Sequence, residues 1–236
     1  MKIISLNIND FGGCNEHLEE YKKIFGYQGI NKWDALDKRE NIQGILDFFE
    51  NNKPDIIVLQ EFDINSMEAK TFTVKMKSMG YELKSESPSK RPSMTVMFIK
   101  NDIIYEEIKT CHVERCLRAY AIKVNDYIVY GIHVPPKYDE EFWNEIETLW
   151  SAYEKQKFVM IGDINTINFY NNERLNQLLL KSVDIWNAKG NKDKISIAGD
   201  YVIISTNIDI ETVEIKKDEA AVCNYTDHPA IILSLK

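Results

Sequence analysis

The sequence predicts a single globular α/β domain over residues 1–236, with no linker or internal repeat that would divide it. Its 236 residues are 44% hydrophobic and 28% charged, which is typical of a folded globular chain. Short apolar runs that resemble buried strands alternate with amphipathic segments that resemble helices. A chain of this length can bury roughly 70% of its unfolded surface, so folding requires neither disulfides nor a structural metal.

The amino-terminal part contains two predicted strands with a helix between them. The apolar run 3–6 predicts a short strand that ends at Asn7. A helix is predicted from Asp37, because Glu40 lies three residues on in capping-box spacing. Its apolar face consists of Ile42, Ile45, Leu46 and Phe49. The continuous apolar run 55–61 then predicts a buried strand whose last residue is a carboxylate.

The rest of the chain alternates in the same way. A second helix begins near Ser66 and meets Gly80, a residue type common just after helix C-termini. Asn125 and Asp126 predict a hairpin between two apolar runs. Further helices are indicated over 139–154 and around 175–179 by apolar residues at helical spacing. The remaining predicted strands cover 95–99, 119–124, 127–132, 158–161, 201–204 and 231–235.

Composition also bounds the compartment and the partners. No apolar run approaches the ~18 residues of a membrane helix and no signal-peptide core is visible, so we expect a cytoplasmic protein without a membrane span. Without an export signal, the cysteines are expected to stay reduced; they are Cys14, Cys111, Cys116 and Cys223. No obligate protein partner is evident.

The acidic balance of the chain limits what it can bind. The 37 acidic and 29 basic residues give a net charge of −8, which disfavours broad adhesion to nucleic acid. A polyanionic substrate is not excluded, because a bound divalent metal and local basic groups can offset the field at one site.

Polar residues of types that can act in catalysis or bind a metal cluster at the ends of predicted strands. Four of them follow an apolar strand, namely Asn7, Glu61, His133 and Asp163, whereas Asp200 and the Asp227-His228 pair precede one. In an antiparallel sheet the end of one strand lies beside the start of the next, so both groups can share one edge. Taken singly, such residues are usually turn or loop residues. Together they predict a site assembled from strand termini, which hold catalytic groups rigidly.

The local sequences around these residues resemble the endonuclease/exonuclease/phosphatase superfamily, the fold of pancreatic deoxyribonuclease and the abasic-site endonucleases. The resemblance spans nearly the whole chain in the family's order, through the motifs Ile4-Ser5-Leu6-Asn7, Ile57-Val58-Leu59-Gln60-Glu61, Gly131-Ile132-His133, Ile161-Gly162-Asp163-Ile164-Asn165, Gly199-Asp200-Tyr201-Val202-Ile203-Ile204-Ser205 and Thr226-Asp227-His228. It implies a DNase I-like two-sheet sandwich of four α/β/β/α layers, with mostly antiparallel, mixed strands and flanking helices. It also implies an Mg²⁺- or Mn²⁺-dependent hydrolase of phosphate esters.

The resemblance further implies a role for each matching residue. Glu61 would be the principal metal ligand, with Asn7 and Asp227 close by, and such oxygen ligands suit a hard divalent ion. Asp163 would orient and deprotonate the attacking water. Asn165, two residues on and therefore on the same side of an extended segment, would hold the nucleophile or the phosphate.

The remaining implied roles concern charge on the substrate. His228, oriented by Asp200, would stabilise charge that grows on the phosphoryl oxygens. His133 would bind phosphate or assist the leaving oxygen. Arg118 resembles a position where family members contact the substrate phosphate, although a surface ion pair is nearly as good an interpretation of this residue.

Three positions depart from the family pattern. The family often has an Arg-Ile pair where this chain has Ala198 and Gly199. Asn9 replaces the second acidic metal ligand of some nucleases, which makes a two-metal variant less favoured. Thr226 replaces a commoner serine, a mild change because either hydroxyl can bond locally.

The sequence therefore predicts a phosphodiesterase or nuclease that uses a metal and an Asp-activated water. A phosphatase, or a phosphodiesterase of phospholipids or inositol phosphates, is the alternative within the same chemistry. A non-catalytic binding module on the same fold is the alternative of another class, and the presence of Glu61, Asp163 and His228 counts against it. The sequence has no Gly-x-Ser-x-Gly elbow, Walker phosphate loop or dinucleotide glycine fingerprint, which excludes the enzymes built on them.

Overall fold

Two six-stranded sheets pack face to face, and helices cover the outer face of each sheet. The computed structural model of the chain describes residues 1–12, 38–85, 93–109, 116–184, 199–216, 225–226 and 228–236. The predicted α/β two-sheet sandwich is confirmed. Several residues named above lie outside the described ranges, namely Cys14, Asp37, Cys111, Ala198, Cys223 and Asp227.

The described strands are β1 (Lys2–Asn7), β2 (Ile56–Asp63), β3 (Tyr81–Lys84), β4 (Ser93–Lys100), β5 (Glu106–Ile108), β6 (Ala119–Val124), β7 (Tyr127–His133), β8 (Lys157–Asp163), β9 (Val183–Asp184), β10 (Asp200–Ile204), β11 (Ile210–Lys216) and β12 (Ala230–Leu235). The described α-helices are α1 (Lys38–Asn52), α2 (Met67–Ser78), α3 (Glu140–Tyr153) and α4 (Phe169–Leu179). Of these helices, none is both long and apolar enough to cross a membrane.

The two sheets have the same plan. The first has the strand order β11-β12-β1-β2-β4-β3, and the second has the order β5-β6-β7-β8-β10-β9. Each contains one central parallel pair, β1 with β2 and β7 with β8, and its other described pairs are antiparallel. Asn7, His133 and Asp163 are the last residues of strands in these two central pairs.

Alternation along the strands separates the core into layers. In β2, Val58 faces the second sheet, whereas Ile57 and Leu59 face α1 and α2. The sheets approach so closely that a Cβ on Gly131 would lie 2.5 Å from Val58 Cγ1. The outer layers are filled by large side chains, which are Phe49, Phe62, Phe72 and Phe98 between the first sheet and its helices, and Trp143, Trp150 and Phe158 between the second sheet and α3.

The predicted elements are confirmed except at the rims of the sheets. Ser66 caps α2 by accepting a hydrogen bond from Ala69 N at 3.0 Å, and Asn125 has the left-handed φ of 55° that its hairpin turn requires. The sequence missed four strands, and these are the four sheet edges β3, β5, β9 and β11. Edge strands are short or charged because one side of each is unpaired, so they lack the apolar runs of central strands.

Candidate active site

Three of the predicted residues form one row across the second sheet. His133 at the end of β7 is paired in register with Asp163 at the end of β8, and Asp163 is paired with Asp200 at the start of β10. All three are buried, with 7%, 1% and 7% of their surfaces exposed. Parallel pairing of β7 with β8 and antiparallel pairing of β8 with β10 produce this row, as expected from the strand-end pattern.

Asn7 reaches this row from the other sheet. Its Nδ2 donates hydrogen bonds to Asp163 Oδ2 and to Glu61 Oε1, each at 3.1 Å. Its Oδ1 accepts the backbone N–H of Asn9 at 3.0 Å, which determines which end of the amide faces the carboxylates. The Thr226 hydroxyl donates to the Asn7 carbonyl oxygen at 2.6 Å and thereby anchors the segment before β12.

The backbone at Glu61 brings its side chain into the site. In an unbroken strand Glu61 would share the helix-packed face of Ile57 and Leu59. The register between β2 and β4 instead shifts between Leu59 and Phe62, and Glu61 has a φ of 54°. This bulge returns Phe62 to the apolar face and leaves the carboxylate at the edge, beside Asn7.

His228 pairs with the row from the loop before β12. Its Nδ1 lies 2.8 Å from Asp200 Oδ2, and Asp200 is almost wholly buried in this contact. A carboxylate in this position orients the imidazole and favours its charged form. Asp227, the predicted metal ligand beside His228, lies outside the described residues, so its ligand role stays a prediction.

His133 is held as a neutral imidazole. Burial, followed by the charges of Arg118 and His228, lowers the pKa of His133 to about 3. Its Nδ1 faces Arg118 Nη1 at 3.4 Å, and because a guanidinium only donates, this contact favours a proton on Nε2. Nε2 in turn lies 3.7 Å from Glu61 Oε1 and 3.6 Å from Asp163 Oδ2.

The carboxyl group of Asp163 has a raised pKa. Burial and the neighbouring Asp200 carboxylate hold the pKa of Asp163 well above its usual range, and these effects outweigh His228 and the hydrogen bonds from Asn165 and Asn7. A buried carboxylate with a raised pKa is suited to accept a proton near neutral pH. A cation beside it would lower that pKa, since opposite charge favours the ionised form.

Asn165 continues the site beyond β8. It has a φ of 51°, and its backbone N–H donates to Asp163 Oδ1 at 2.8 Å. Its Nδ2 donates to the Val134 carbonyl oxygen at 2.7 Å and links the loops after β7 and β8. Asn171 completes this link: its Nδ2 donates to the carbonyl oxygens of Asn165 and Pro135, and its Oδ1 accepts from the indole of Trp143.

Two supporting residues received no role from the sequence. Asn171 is wholly buried yet belongs to a polar stretch at the start of α4, so no local signal distinguishes it from its neighbours. Gly199 has a φ of +81°, and a Cβ there would lie 3.1 Å from both Asp163 Oδ1 and Asn165 N. The position of Gly199 directly before Asp200 in the sequence motif could have indicated this role, because a glycine is needed where the backbone approaches a site this closely.

One group of side chains could hold a metal ion. The ligand atoms of Glu61, His133 and Asp163 all lie within 4.8 Å of one another. The two carboxylates offer the oxygen atoms that Mg²⁺ and Mn²⁺ prefer, and a cation would compensate the buried negative charge of Asp163 and Asp200. The donor set therefore fits a divalent ion. Asn7 presents its nitrogen to this space, so in this arrangement it orients the carboxylates, and metal ligation by Asn7 stays a prediction.

The predicted residues thus converge. Those that the structure brings together are Asn7, Glu61, Arg118, His133, Asp163, Asn165, Asp200 and His228. Arg118 is half-buried at the end of a short turn, Cys116–Arg118, and reaches the site through His133.

Solved structures with the same fold cover the whole chain. An AP endonuclease from Archaeoglobus fulgidus matches 100% of this chain and 99% of its own, with a TM-score of 0.71 and 14% identity. The 3′ phosphatase NExo from Neisseria, bound to a product DNA hairpin, covers 100% and 99% with a TM-score of 0.68 and 14% identity. The human Nocturnin catalytic domain with a bound sulfate covers 100% and 94%, with a TM-score of 0.65 and 15% identity.

These similarities establish the architecture of the chain. It has the DNase I-like α/β sandwich fold of the endonuclease/exonuclease/phosphatase proteins, so the resemblance found in the sequence is confirmed for the fold. No family model and no curated protein matches the sequence. Because a fold hosts many activities, the function must be argued from the residues of the site.

Proposed function

We propose that the protein is a divalent-metal-dependent phosphoesterase that hydrolyses phosphodiesters, with nucleic acid as the preferred substrate class. The observation that carries this proposal is the contact between the two sheets, in which Asn7 joins the carboxylates of Glu61 and Asp163. A phosphodiester is an anion that repels hydroxide, so its hydrolysis needs positive charge and a water held in line with the leaving group. The site supplies residues for both requirements.

Glu61 is the described residue best suited to hold the ion, with Asp227 proposed as a further ligand. When bound there, Mg²⁺ or Mn²⁺ would neutralise charge on the phosphate and polarise its oxygens. Asn7 keeps both carboxylates facing the same space through its two hydrogen bonds. Asn9 in turn holds the Asn7 amide, and its neutral side chain agrees with a single-ion site.

Asp163 acts as the general base in this proposal. Its Oδ2, which lies 3.6 Å from His133 Nε2, takes a proton from the attacking water. Asn165 fixes the other carboxyl oxygen through its backbone N–H. Such general-base assistance is worth roughly 10²–10⁴ in rate, or about 3–5 kcal/mol of activation free energy.

The two histidines stabilise the negative charge on the substrate oxygens in the transition state. His228, paired with Asp200, supplies an imidazolium to the phosphoryl oxygens. His133 is neutral with its proton on Nε2, so it donates a hydrogen bond to a phosphate or leaving oxygen. Arg118 keeps that tautomer in place and adds positive charge nearby.

A phosphatase is the second candidate on the same site. It is favoured by the similarity to NExo, which is described as a 3′ phosphatase bound to a product DNA hairpin. A monoester at a nucleic-acid end needs the same ion, the same base and the same charge stabilisation as a diester. Phospholipid and inositol-phosphate headgroups present the same phosphoester chemistry and belong in the same assay.

The decisive experiment is an activity panel with Mg²⁺ or Mn²⁺. It compares bis(p-nitrophenyl) phosphate, p-nitrophenyl phosphate, single- and double-stranded DNA, RNA, inositol phosphates and sphingomyelin. Asp163→Asn serves as the inactive enzyme, and we expect its rate to fall at least about 10²-fold. Asp126→Asn is the matched control, because Asp126 is an exposed carboxylate paired with Lys157 far from the row.

Two outcomes would reject the proposal. Equal rates for wild type and Asp163→Asn would identify a contaminating enzyme as the source. The absence of hydrolysis across the panel, with Mn²⁺ binding to the wild-type protein intact, would favour a binding module. Calorimetric titration of Mn²⁺ into wild type and Glu61→Gln supplies this second measurement without depending on turnover.

A further inference from the structure

Exposed aromatic rings adjoin the candidate active site. Phe169 and Tyr170, at the start of α4, are 66% and 58% exposed. The Tyr170 ring lies 5.2 Å from Tyr138 and 5.6 Å from Phe169, measured between ring centroids. We call Tyr138, Phe169 and Tyr170 the aromatic platform. Large apolar side chains are seldom left this exposed without a binding role when they occur as a contiguous group.

The aromatic platform is fastened to the catalytic loops. Three successive carbonyl oxygens after His133, those of residues 134, 135 and 136, each accept a side-chain amide from the segment after Asp163. The donors are Asn165, Asn171 and Asn168. These bonds tie the backbone that carries the rings to the loop that follows His133.

The distance from the platform to the site suits a neighbouring nucleotide. Phe169 is four residues from Asn165, so the two are at most roughly 14 Å apart even on an extended chain. Backbone phosphates of one strand repeat about every 3.4 Å along a duplex axis, and less regularly when single-stranded. A strand whose phosphate lies at His133 and Asp163 therefore brings a base within reach of the rings.

The local charge selects among possible occupants. Tyr138 is followed directly by Asp139, Glu140 and Glu141, and the chain carries a net charge of −8. Broad docking on a lipid surface would press these carboxylates against headgroup phosphates, and tracking a duplex would bring them toward its backbone. Stacking of one aromatic base on a ring needs no counter-charge and leaves the carboxylates in water.

We propose that the aromatic platform stacks an unpaired nucleobase beside the phosphate that is cleaved, so that the substrate is a single-stranded or frayed nucleic acid. This inference rests on the proposed function, because the platform is positioned relative to that site. Stacking rather than phosphate charge then supplies much of the affinity. Binding is expected to depend weakly on salt for a nucleic-acid enzyme.

Fluorescence anisotropy tests the proposal without turnover. A labelled single-stranded deoxyadenosine oligonucleotide is titrated with the full-length protein in EDTA, which prevents hydrolysis. Phe169→Ala and Tyr170→Ala should each raise the Kd about tenfold, the effect of losing one base–aromatic stack. Tyr170→Phe keeps the ring and should stay within about twofold of wild type. Leu180→Ala is the control, since Leu180 is an 88% exposed apolar residue at the other end of α4.

Two ligands without an unpaired base test whether stacking supplies the affinity. An abasic oligonucleotide of equal length and a fully paired duplex should both bind more weakly than the single strand and should be insensitive to the two alanine variants. Unchanged Kd values in both variants would overturn the proposal. So would binding of the wild type, but not of Phe169→Ala, to sedimented phosphatidylcholine–sphingomyelin vesicles, which would assign the platform to lipid.

Failure of this inference is distinguishable from failure of the proposed function. Hydrolysis of bis(p-nitrophenyl) phosphate, which has no nucleobase, reports on the catalytic site. Normal hydrolysis with unchanged oligonucleotide binding in the variants would reject the platform alone. Altered oligonucleotide binding without any hydrolysis would reject the enzyme and retain the platform.

Discussion

The side-chain amide of Asn7, at the end of one sheet, donates a hydrogen bond of 3.1 Å to the Asp163 carboxylate at the end of the other. The two residues are 156 positions apart, and both are essentially inaccessible to solvent. A second side-chain contact between the two halves joins His228, in the loop before β12, to Asp200 at 2.8 Å, whereas the bond from Asn7 to Glu61 lies within the first sheet. The geometry of the site therefore depends on how the sheets pack.

Replacing Asn7 should weaken the link between Glu61 and Asp163. In Asn7→Ala the carboxylates of Glu61 and Asp163 each lose a donor, and only Asp163 is buried, so its unsatisfied oxygen costs about 1–3 kcal/mol. We expect kcat for bis(p-nitrophenyl) phosphate to fall at least about tenfold, measured with thermal unfolding on the same sample. Asn52→Ala, which changes an asparagine at the far end of α1, controls for general loss of stability. A folded Asn7→Ala enzyme with wild-type kcat would contradict this role.

His228 and Asp200 should behave as one unit. Either His228→Ala or Asp200→Asn removes the oriented imidazolium, and we expect a decrease in kcat of roughly 10²–10³. The double variant should be little slower than the worse single variant, because residues that act together are strongly non-additive. If the decrease in kcat in the double variant equals the product of the two single decreases, the 2.8 Å contact between His228 and Asp200 does not contribute to catalysis.

Gly199 and Gly80 provide a matched pair of glycines with left-handed backbones. Their φ angles are +81° and +89°, so alanine at either should cost about 1–2 kcal/mol of folding free energy. A Cβ at Gly80 meets nothing within 4 Å, whereas one at Gly199 lies 3.1 Å from Asp163 Oδ1. We therefore expect both variants to fold, with the lower urea midpoint in Gly199→Ala, and a loss of activity in Gly199→Ala alone. Equal activity in both would refute the claim that Gly199 makes room for Asp163.

Tyr81 should make the protein sensitive to alkali. Burial, with Asp55 and Asp102 nearby, raises the pKa of Tyr81 to about 12 from 10.0. The unfolded chain therefore releases the phenolic proton first, so the stabilisation is complete below pH 10 and is lost as the pH rises toward 12. Urea unfolding of wild type and Tyr81→Phe at pH 8 to 11 measures this.

The same substitution has a second consequence at neutral pH. Tyr81→Phe removes the 2.7 Å hydrogen bond to the Pro54 carbonyl oxygen and should cost about 1 kcal/mol. The difference in unfolding free energy between the two proteins should then shrink above pH 10. A constant difference across the pH range would place the alkaline sensitivity elsewhere.

Much of the fold could be predicted because its central strands are apolar and its helices are amphipathic. These patterns are local, and they located the six strand-end segments that carry the site. The four edge strands escaped prediction because charge and brevity protect sheet edges and remove the apolar signal.

The candidate site, too, was predictable in part. The sequence by itself determined which residues are available, the likeness of their order to phosphoesterases, and their position at strand ends. Only the tertiary structure decided that a bulge at Glu61 returns its carboxylate to the edge, that Asn7 presents its nitrogen to Asp163, and that Asn171 ties the two catalytic loops together. Patterns along a chain report which face of a strand or helix is buried. Contacts across 156 positions depend instead on how two sheets pack, and no local periodicity records that.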